Sequence, residues 1–272
     1  MKSSGVPKID VLDRTLKTFN RITNFAFKVS AAHHGGSTSE AGEMASMVHA
    51  KMCIHGASAN KLSSRGLFDH SAIMTICRMI VDGMTMYFYL KESISEDEWN
   101  FRKLIFRLHD TVSRIKLFRF RKEKSEYQDL IDGRESLIQE LKANAIFKEL
   151  EPNKQKRLLS GEEIFVGGMR AAAIRAAGWR EETFLAFYNY FSAHAHTAPM
   201  SFLRFRKHKI DFADPSDAQR GMVALALNVA EFCLLRVSMH YLFENSELYS
   251  RFDSKELQDF RKELAESTIQ TG

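Results

Sequence analysis

The chain is poor in the residues that interrupt helices, with 4 prolines and 14 glycines among 272 residues. Proline removes a backbone donor and glycine costs conformational entropy, so a scarcity of both favours long helices. No strand-type alternation of apolar and polar residues is sustained anywhere. The sequence therefore predicts an all-α fold, a single multi-helix bundle of roughly eight to ten helices. We expect one domain over 1–272, with an irregular excursion at 150–178.

Cysteine and long apolar runs are scarce as well. Cys53, Cys77 and Cys233 have no paired spacing, which is typical of reduced thiols in a cytosolic protein. No apolar run reaches the roughly 20 residues of a membrane span, because charged residues interrupt the most apolar windows, 73–90 and 222–235. The N-terminal segment lacks the charged-then-apolar order of a signal peptide. We therefore expect a cytoplasmic location and no membrane contact.

Helix positions follow from apolar periodicity and capping pairs. Apolar residues recur at steps of three and four in 9–32 and again in 70–91, as on one face of a helix. Serine or aspartate followed three residues later by glutamate marks a helix start, because the two side chains satisfy free N–H groups of the first turn. Such pairs begin at Ser37, Ser95, Ser160 and Asp253, and Asp214-Pro215 indicates a further start.

The segment 184–199, FLAFYNYFSAHAHTAP, concentrates the candidate chemistry of the chain. It predicts an aromatic, largely buried helix that a proline ends. Tyr188, Ser192 and His196 step by four and therefore share one face of that helix. His194 lies between this face and the apolar one. Polar atoms on so aromatic a helix need partners.

A cation and an acid in the apolar segment 70–91 are the expected partners. Arg78 and Asp82 are four residues apart within ICRMIVDGMTMYFYL. An unpaired buried charge is very costly, so we expect Arg78 to pair with Asp82 and with the 184–199 helix. Two interpretations stay open. Either the polar groups only fix helix packing, or a guanidinium and an imidazole share a chamber that acts on an anion.

The order Arg-x-x-x-acid followed about a hundred residues later by Tyr-x-x-x-Ser-x-x-x-His resembles a bacterial all-helical family of unknown function. The residues that carry it are Arg78, Asp82, Tyr188, Ser192 and His196. Asp82 stands where glutamate is expected. The resemblance spans the middle half of the chain. It implies a helical fold with a polar interior site and no particular activity.

A second resemblance is to the HEPN helical domains of bacterial toxins and phage-defence nucleases. Their signature is an arginine, often followed by asparagine, and then a histidine a turn or two later. Asn189 and His194 fit this order. Tyr188 occupies the arginine position, so Arg78 from a neighbouring helix is the candidate for that role.

This resemblance implies a metal-independent ribonuclease related to defence or toxin modules. His196, helped by His194, would transfer protons around a ribose 2′-hydroxyl, and Arg78 would hold the phosphate. The hydroxyl groups would orient the reacting groups. The catalytic candidates are His196, His194, Arg78, Asp82, Tyr188 and Ser192.

Basic residues give the chain a net charge of +5 and a sequence pI near 9.0. Neutralisation of phosphates by such residues gives salt-sensitive binding without sequence choice. The alternative is the solvated face of an amphipathic helix. The candidates for nucleic-acid binding are Arg114, Lys116, Arg119, Arg121, Lys122, Arg204, Arg206 and Lys207.

The histidines lack the spacing of a metal site, because His194 and His196 are two apart and point to different sides of a helix. We expect no metal and no cofactor. The expected partner is RNA or another nucleic acid, and a homodimer stays open as an assembly. The opposing hypothesis is a non-enzymatic helical interaction or structural module, in which the polar cluster serves packing alone.

Overall fold

The computed structural model describes residues 11–32, 39–64, 68–121, 125–196, 198–203 and 205–267. Within these ranges the chain forms thirteen α-helices and two short 3-10 helices, and no β-strand. The all-α prediction is confirmed. The expected eight to ten helices were too few, because five of the thirteen are only four to eight residues long. The other eight have 13 residues or more.

The α-helices, in chain order, are α1 Val11–Ala32, α2 Glu40–Ser64, α3 His70–Lys91, α4 Glu96–Phe118, α5 Ser125–Ala143, α6 Ala145–Lys148, α7 Pro152–Leu159, α8 Gly168–Arg175, α9 Glu181–Ala195, α10 Pro199–Phe202, α11 Phe205–His208, α12 Asp217–Glu244 and α13 Ser254–Glu266. The 3-10 helices are Arg119–Arg121 and Ser246–Arg251.

The helices form two compact units. The first unit contains Met1–Lys91 and Ala176–Gly272, and the second contains Glu92–Arg175. The single domain expected over 1–272 stays a prediction.

The core of the first unit lies between α1, α2, α3 and α12. α3 packs against α2, α9 and α12, and α1 packs against α2 and α12. Their inward faces are closed to solvent, as at Phe19 and Phe25 in α1, Ile80 in α3 and Leu227 in α12. Burying such a side chain stabilises the fold by roughly 1.5–3 kcal/mol. This packing fixes α3 as the wall against which α9 lies.

Two helices, α3 and α12, are long and apolar enough to cross a membrane by length and composition. This is weak evidence for a span, because core helices of soluble proteins pass the same test. In the most apolar windows of these helices, 61% and 72% of the window is buried within the protein. Their composition is thus accounted for by burial against other helices.

The second unit has its own core, in which α4 packs against α5 and the shorter α6, and to which α7 contributes Leu158. Its buried side chains are Phe101, Ile105, Leu108, Val112, Leu137, Leu141, Phe147 and Leu158. The excursion at 150–178 contains α7 and α8, separated by a loop. Gly161 in this loop has φ of +70°, and a Cβ there would lie 2.5 Å from Val112. Glycine is therefore required at this close approach.

Two predicted caps are confirmed. Ser95 accepts a hydrogen bond from the Glu98 N–H at the start of α4, and Asp253 accepts one from the Glu256 N–H at the start of α13. Both satisfy an N–H that has no partner within the helix. Both were predictable because the cap and its partner are three residues apart.

The other predicted starts are wrong or untested. Ser160 ends α7 instead of opening a helix, and its hydroxyl donates to the Arg157 carbonyl. α12 begins after Ser216, not Asp214, because Ser216 accepts from the Gln219 N–H and completes a capping box. Ser37 lies outside the described residues. The Ser39 hydroxyl accepts from Gly42 N–H at the start of α2.

Candidate functional site

α9 begins with two acidic residues, Glu181 and Glu182, in its first turn, where the helix dipole favours negative charge. It ends at Ala195, and His196 is its C-cap residue. The helix therefore ends before the proline at 199 that was expected to stop it. Ala198, which precedes this proline, is already extended, as steric contact with a proline ring demands.

The guanidinium of Arg78 connects α3 with α9. Its Nη2 donates to the hydroxyl of Tyr188 at 3.0 Å, and its Nη1 lies 3.0 Å from Nε2 of His196. Its Cζ lies 4.8 Å from the centroid of the Tyr188 ring, within range of a cation–π contact. Its Nε lies 3.7 Å from Oδ2 of Asp82. Ser192 lies between Tyr188 and His196 on the same face of α9.

These five residues form what we call the Arg78 cluster, and solvent reaches it. The side chains of Arg78 and Asp82 are 19% and 33% exposed, and His196 is exposed. The cluster is therefore a half-buried site at the surface of the first unit, and a solute can reach its imidazole.

The contact with Arg78 gives Nε2 of His196 the role of hydrogen-bond acceptor. Arginine only donates, so Nε2 of His196 accepts from Arg78 and carries no proton. A lone pair that can take up a proton thus points at the guanidinium.

Three polar atoms of the Arg78 cluster are buried without a hydrogen-bond partner among the described residues: Arg78 Nε, Asp82 Oδ1 and Ser192 Oγ. Burial raises the pKa of Asp82 to about 6, although the positive charge of Arg78 opposes this shift. Buried polar atoms nearly always have a hydrogen-bond partner, so three unsatisfied atoms in one cluster require an explanation.

His194 does not join the Arg78 cluster. Residues two apart on a helix are rotated by about 200°, and His194 faces the other side of α9. There its Nδ1 lies 3.2 Å from the hydroxyl of Ser71, and its ring centroid lies 5.6 Å from that of His70. This arrangement does not bring His194 to His196, which it was predicted to help in proton transfer, and the catalytic role of either histidine stays a prediction. Sequence reasoning missed His70 and Ser71, because no spacing links them to α9.

The predicted nucleic-acid contacts divide between the two units. In the second unit Arg114 and Arg119 are exposed, and Lys116 donates to Glu162 at 2.8 Å. In the first unit Arg206 and Lys207 are exposed on α11. Lys122 and Arg204 lie outside the described residues, as does the side chain of Arg121. Among the described residues, no group of three or more His, Cys, Asp or Glu side chains could hold a metal ion.

The sequence profile of one protein family, DUF5677, a family of unknown function, matches residues 43–213. This is more than half of the chain. The chain belongs to the DUF5677 family. The match includes every residue of the Arg78 cluster. Neither a curated protein nor a solved structure matches the chain.

The expected resemblance to an all-helical family of unknown function is confirmed at the level of DUF5677 membership and a helical structure. The HEPN resemblance is not confirmed. Asn189 is exposed on α9, whereas His194 is buried against His70. The two residues that carried this resemblance therefore do not share a surface.

Proposed function

We propose that the DUF5677 chain acts on RNA as a metal-independent ribonuclease in the cytoplasm, with the Arg78 cluster as its phosphate site. The observation that carries the proposal is the guanidinium of Arg78, held 3.0 Å from both Tyr188 and His196 at a solvent-reached surface. Anion recognition suits this group, because a guanidinium binds phosphate with paired N–H donors.

Arg78 has more N–H donors than its protein partners accept. A guanidinium has five N–H donors, and hydrogen bonds to Tyr188 and His196 use two of them. The Nε donor has no hydrogen-bond partner in the described part of the chain. A phosphate oxygen would take up the second N–H of Nη1 and of Nη2, because Nε is buried beside Asp82. Competition for the Nη1 donor would also release the lone pair of His196.

The proposed reaction is attack of a ribose 2′-oxygen on the adjacent phosphorus. Nε2 of His196 takes the 2′-hydroxyl proton, the new P–O bond closes a cyclic phosphate, and the bond to the 5′-oxygen breaks. Asp82 has its pKa raised to about 6 by burial, so it is the candidate to protonate the departing 5′-oxygen. General acid–base catalysis is most effective when such a pKa lies near the working pH.

Two further observations support the RNA assignment. Arg78 lies over the ring of Tyr188, and its guanidinium would stabilise the charge of a bound phosphate. The exposed basic residues Arg206 and Lys207 belong to the same unit as the Arg78 cluster. They would add contacts to the phosphate backbone of the RNA. A relation to toxin and phage-defence modules is part of the proposal and rests on the sequence resemblance alone.

The test is cleavage of labelled single-stranded RNA by the purified full chain. We expect His196→Ala and Arg78→Ala to abolish cleavage. The matched controls are His55→Ala, on α2, and Arg14→Ala, on the exposed side of α1, and both should retain it. Absence of cleavage by the unaltered protein, or equal cleavage by all variants, contradicts the proposal.

The second candidate function is a non-enzymatic helical module, and one observation favours it. Arg78 of α3 bonds two side chains of α9 and lies beside Asp82, as an element that fixes helix packing would. In that case the unaltered chain cleaves no RNA, and Tyr188→Phe lowers the melting temperature. Loss of RNA cleavage in Tyr188→Phe at an unchanged melting temperature excludes the packing interpretation.

A further inference from the structure

A second site lies on the other side of α9, in a cavity of about 250 Å³ within the first unit. Three imidazole rings line it, one each from α3, α9 and α11. Its remaining wall is mostly aromatic and apolar, with two thioethers and one serine. The lining residues used below are His70, His194, His208, Tyr190, Phe205 and Met222.

The buried imidazoles leave hydrogen-bonding atoms unused. His70 is 1% exposed, and its Nδ1 has no partner among the described residues. His194 is 7% exposed, and its Nδ1 forms a hydrogen bond with the hydroxyl of Ser71. A cavity lined by imidazoles among aromatic and apolar side chains is typical of a small-molecule site, because a few polar groups orient a ligand between apolar walls.

Both rings are neutral at pH 7. Burial lowers the pKa of His194 to about 4, with a smaller contribution from His70, and burial also lowers the pKa of His70. A neutral imidazole offers one donor and one acceptor. Neither an anion nor a cation would find a compensating charge on these rings, whereas an uncharged ligand with both donors and acceptors would be matched.

The aromatic side chains that line the cavity favour a ligand with a flat ring. The His70 ring lies edge-on to Phe205 at 6.0 Å, and the His194 ring lies edge-on to Tyr190 at 5.2 Å. Such surfaces favour aromatic ligands by offset and edge contacts. The volume lies just below the ~300–1,000 Å³ of sites for drug-sized ligands. One ring system therefore fits, and a dinucleotide does not.

We infer that this cavity binds a neutral heteroaromatic ring with donor and acceptor groups on its edge, the chemical class of a nucleobase. The base can come from a free nucleoside or from an RNA strand. The inference rests on the cavity alone and holds whether or not the Arg78 cluster cleaves RNA.

The experiment is titration of the full chain with adenosine, guanosine, cytidine and uridine, followed by calorimetry and by NMR of the histidine rings. We expect at least one nucleoside to bind and to shift the ring resonances of His70 and His194. The control is His49, a buried histidine that bonds Ser238 and does not line the cavity, so its resonances should not move. No binding at millimolar nucleoside, or equal shifts at His49, overturns the inference.

Two variants test the cavity by different means. His194→Phe keeps an aromatic ring and removes the ring nitrogens, and Met222→Trp fills the cavity. Each should weaken nucleoside binding tenfold or more, whereas Arg78→Ala, across α9, should leave it unchanged. Binding that survives in both cavity variants overturns the inference. The measurement on the unaltered protein stands even where a variant fails to fold.

A trinucleotide containing the preferred base distinguishes the two sources. If the base comes from RNA, the trinucleotide binds more tightly than the nucleoside and loses this gain in Arg78→Ala. If it comes from a free nucleoside, the trinucleotide gains nothing. Both results require that a nucleoside binds in the cavity. Nucleoside binding therefore tests the cavity, and RNA cleavage tests the Arg78 cluster, so one proposal can fail without the other.

Discussion

The two faces of α9 place the same residue type in opposite surroundings. His196 is exposed and accepts a hydrogen bond from a permanent cation, Arg78. His194, two residues earlier, is 7% exposed and lies between another imidazole and a serine hydroxyl. One face is thus charged and open, and the other is neutral and enclosed.

This difference is set by the neighbours and not by the histidines themselves. α3 presents Arg78 and Asp82 to one face of α9 and His70 and Ser71, at its own N-terminus, to the other. A charged, solvent-reached site suits ionic ligands, since the permanent charge attracts them. An enclosed site with neutral donors and acceptors suits an uncharged ring. The comparison therefore predicts separate ligands for two sites on one helix.

The largest expected effect separates the two histidines in RNA cleavage. His196→Ala should lower kcat/KM for a labelled RNA by about 100-fold or more, because it removes the proposed proton acceptor. His194→Ala should lower kcat itself by less than about threefold, since its ring faces away from the Arg78 cluster. Comparable losses in the two variants would remove the distinction between the faces.

The next effect concerns the pH dependence of stability. Burial lowers the pKa of His194 to about 4 in the folded chain, from the 6.5 that is usual for an exposed histidine. The unfolded chain therefore takes up the proton first, and stability present above pH 6.5 is lost as the pH falls toward 4. His194→Gln should reduce this loss, measured by urea unfolding at about pH 7 and pH 4.5, by about 2 kcal/mol.

The matched variant for this measurement is His196→Gln, which makes the same change on the open face. Its acid loss is the reference with which that of His194→Gln is compared. His49, whose pKa burial also lowers to about 4, is present in both variants and cancels in the comparison. An unchanged acid loss in His194→Gln would mean that His194 is not held neutral by the fold.

The sequence predicts well where the governing interaction is local. α3 was predicted from His70 to Lys91, and these are its ends. The caps at Ser95 and Asp253 need only a side chain and an N–H three residues on. The start of α12 was misplaced because Asp214 and Ser216 both favour an N-cap. The choice between them depends on Gln219, whose side chain also bonds the backbone of Asp211.

Long-range contacts are predictable only where an energetic cost demands them. The meeting of Arg78 with α9 was expected, because a charge in an apolar helix must find partners. The cavity beside His70 was not expected. A neutral imidazole in a core has no comparable cost, and no spacing in the sequence relates His70 to His194. The sequence thus identified the charged face of α9 and missed the neutral one.

A smaller effect tests whether the open face stabilises the fold. Arg78→Met should lower the free energy of unfolding by about 1–2 kcal/mol, since Asp82 loses its counter-charge, an effect reduced by partial exposure to solvent. Arg78→Met with Asp82→Asn should recover part of this loss. Denaturant unfolding measures both.

The control for this pair is an exposed ion pair of the same spacing. Lys262 and Glu266 on α13 lie 3.8 Å apart with both side chains largely exposed. Lys262→Met should leave stability unchanged, because exposed pairs contribute little. If Arg78→Met is equally silent, the Arg78 cluster does not contribute to packing and the second candidate function is excluded.

The smallest expected effect compares two serines, one on each side of the α9 interface. The Ser192 hydroxyl is buried without a partner in the described part of the chain, whereas the Ser71 hydroxyl contacts His194. Ser71→Ala should cost about 1 kcal/mol, and Ser192→Ala should change the free energy of unfolding by less than about 0.5 kcal/mol in either direction. Removing an unsatisfied hydroxyl loses no hydrogen bond within the protein.

If Ser192→Ala also weakens RNA binding, its hydroxyl binds a ligand. If instead it destabilises the fold as much as Ser71→Ala does, Ser192 is bonded internally and the charged face exists for packing.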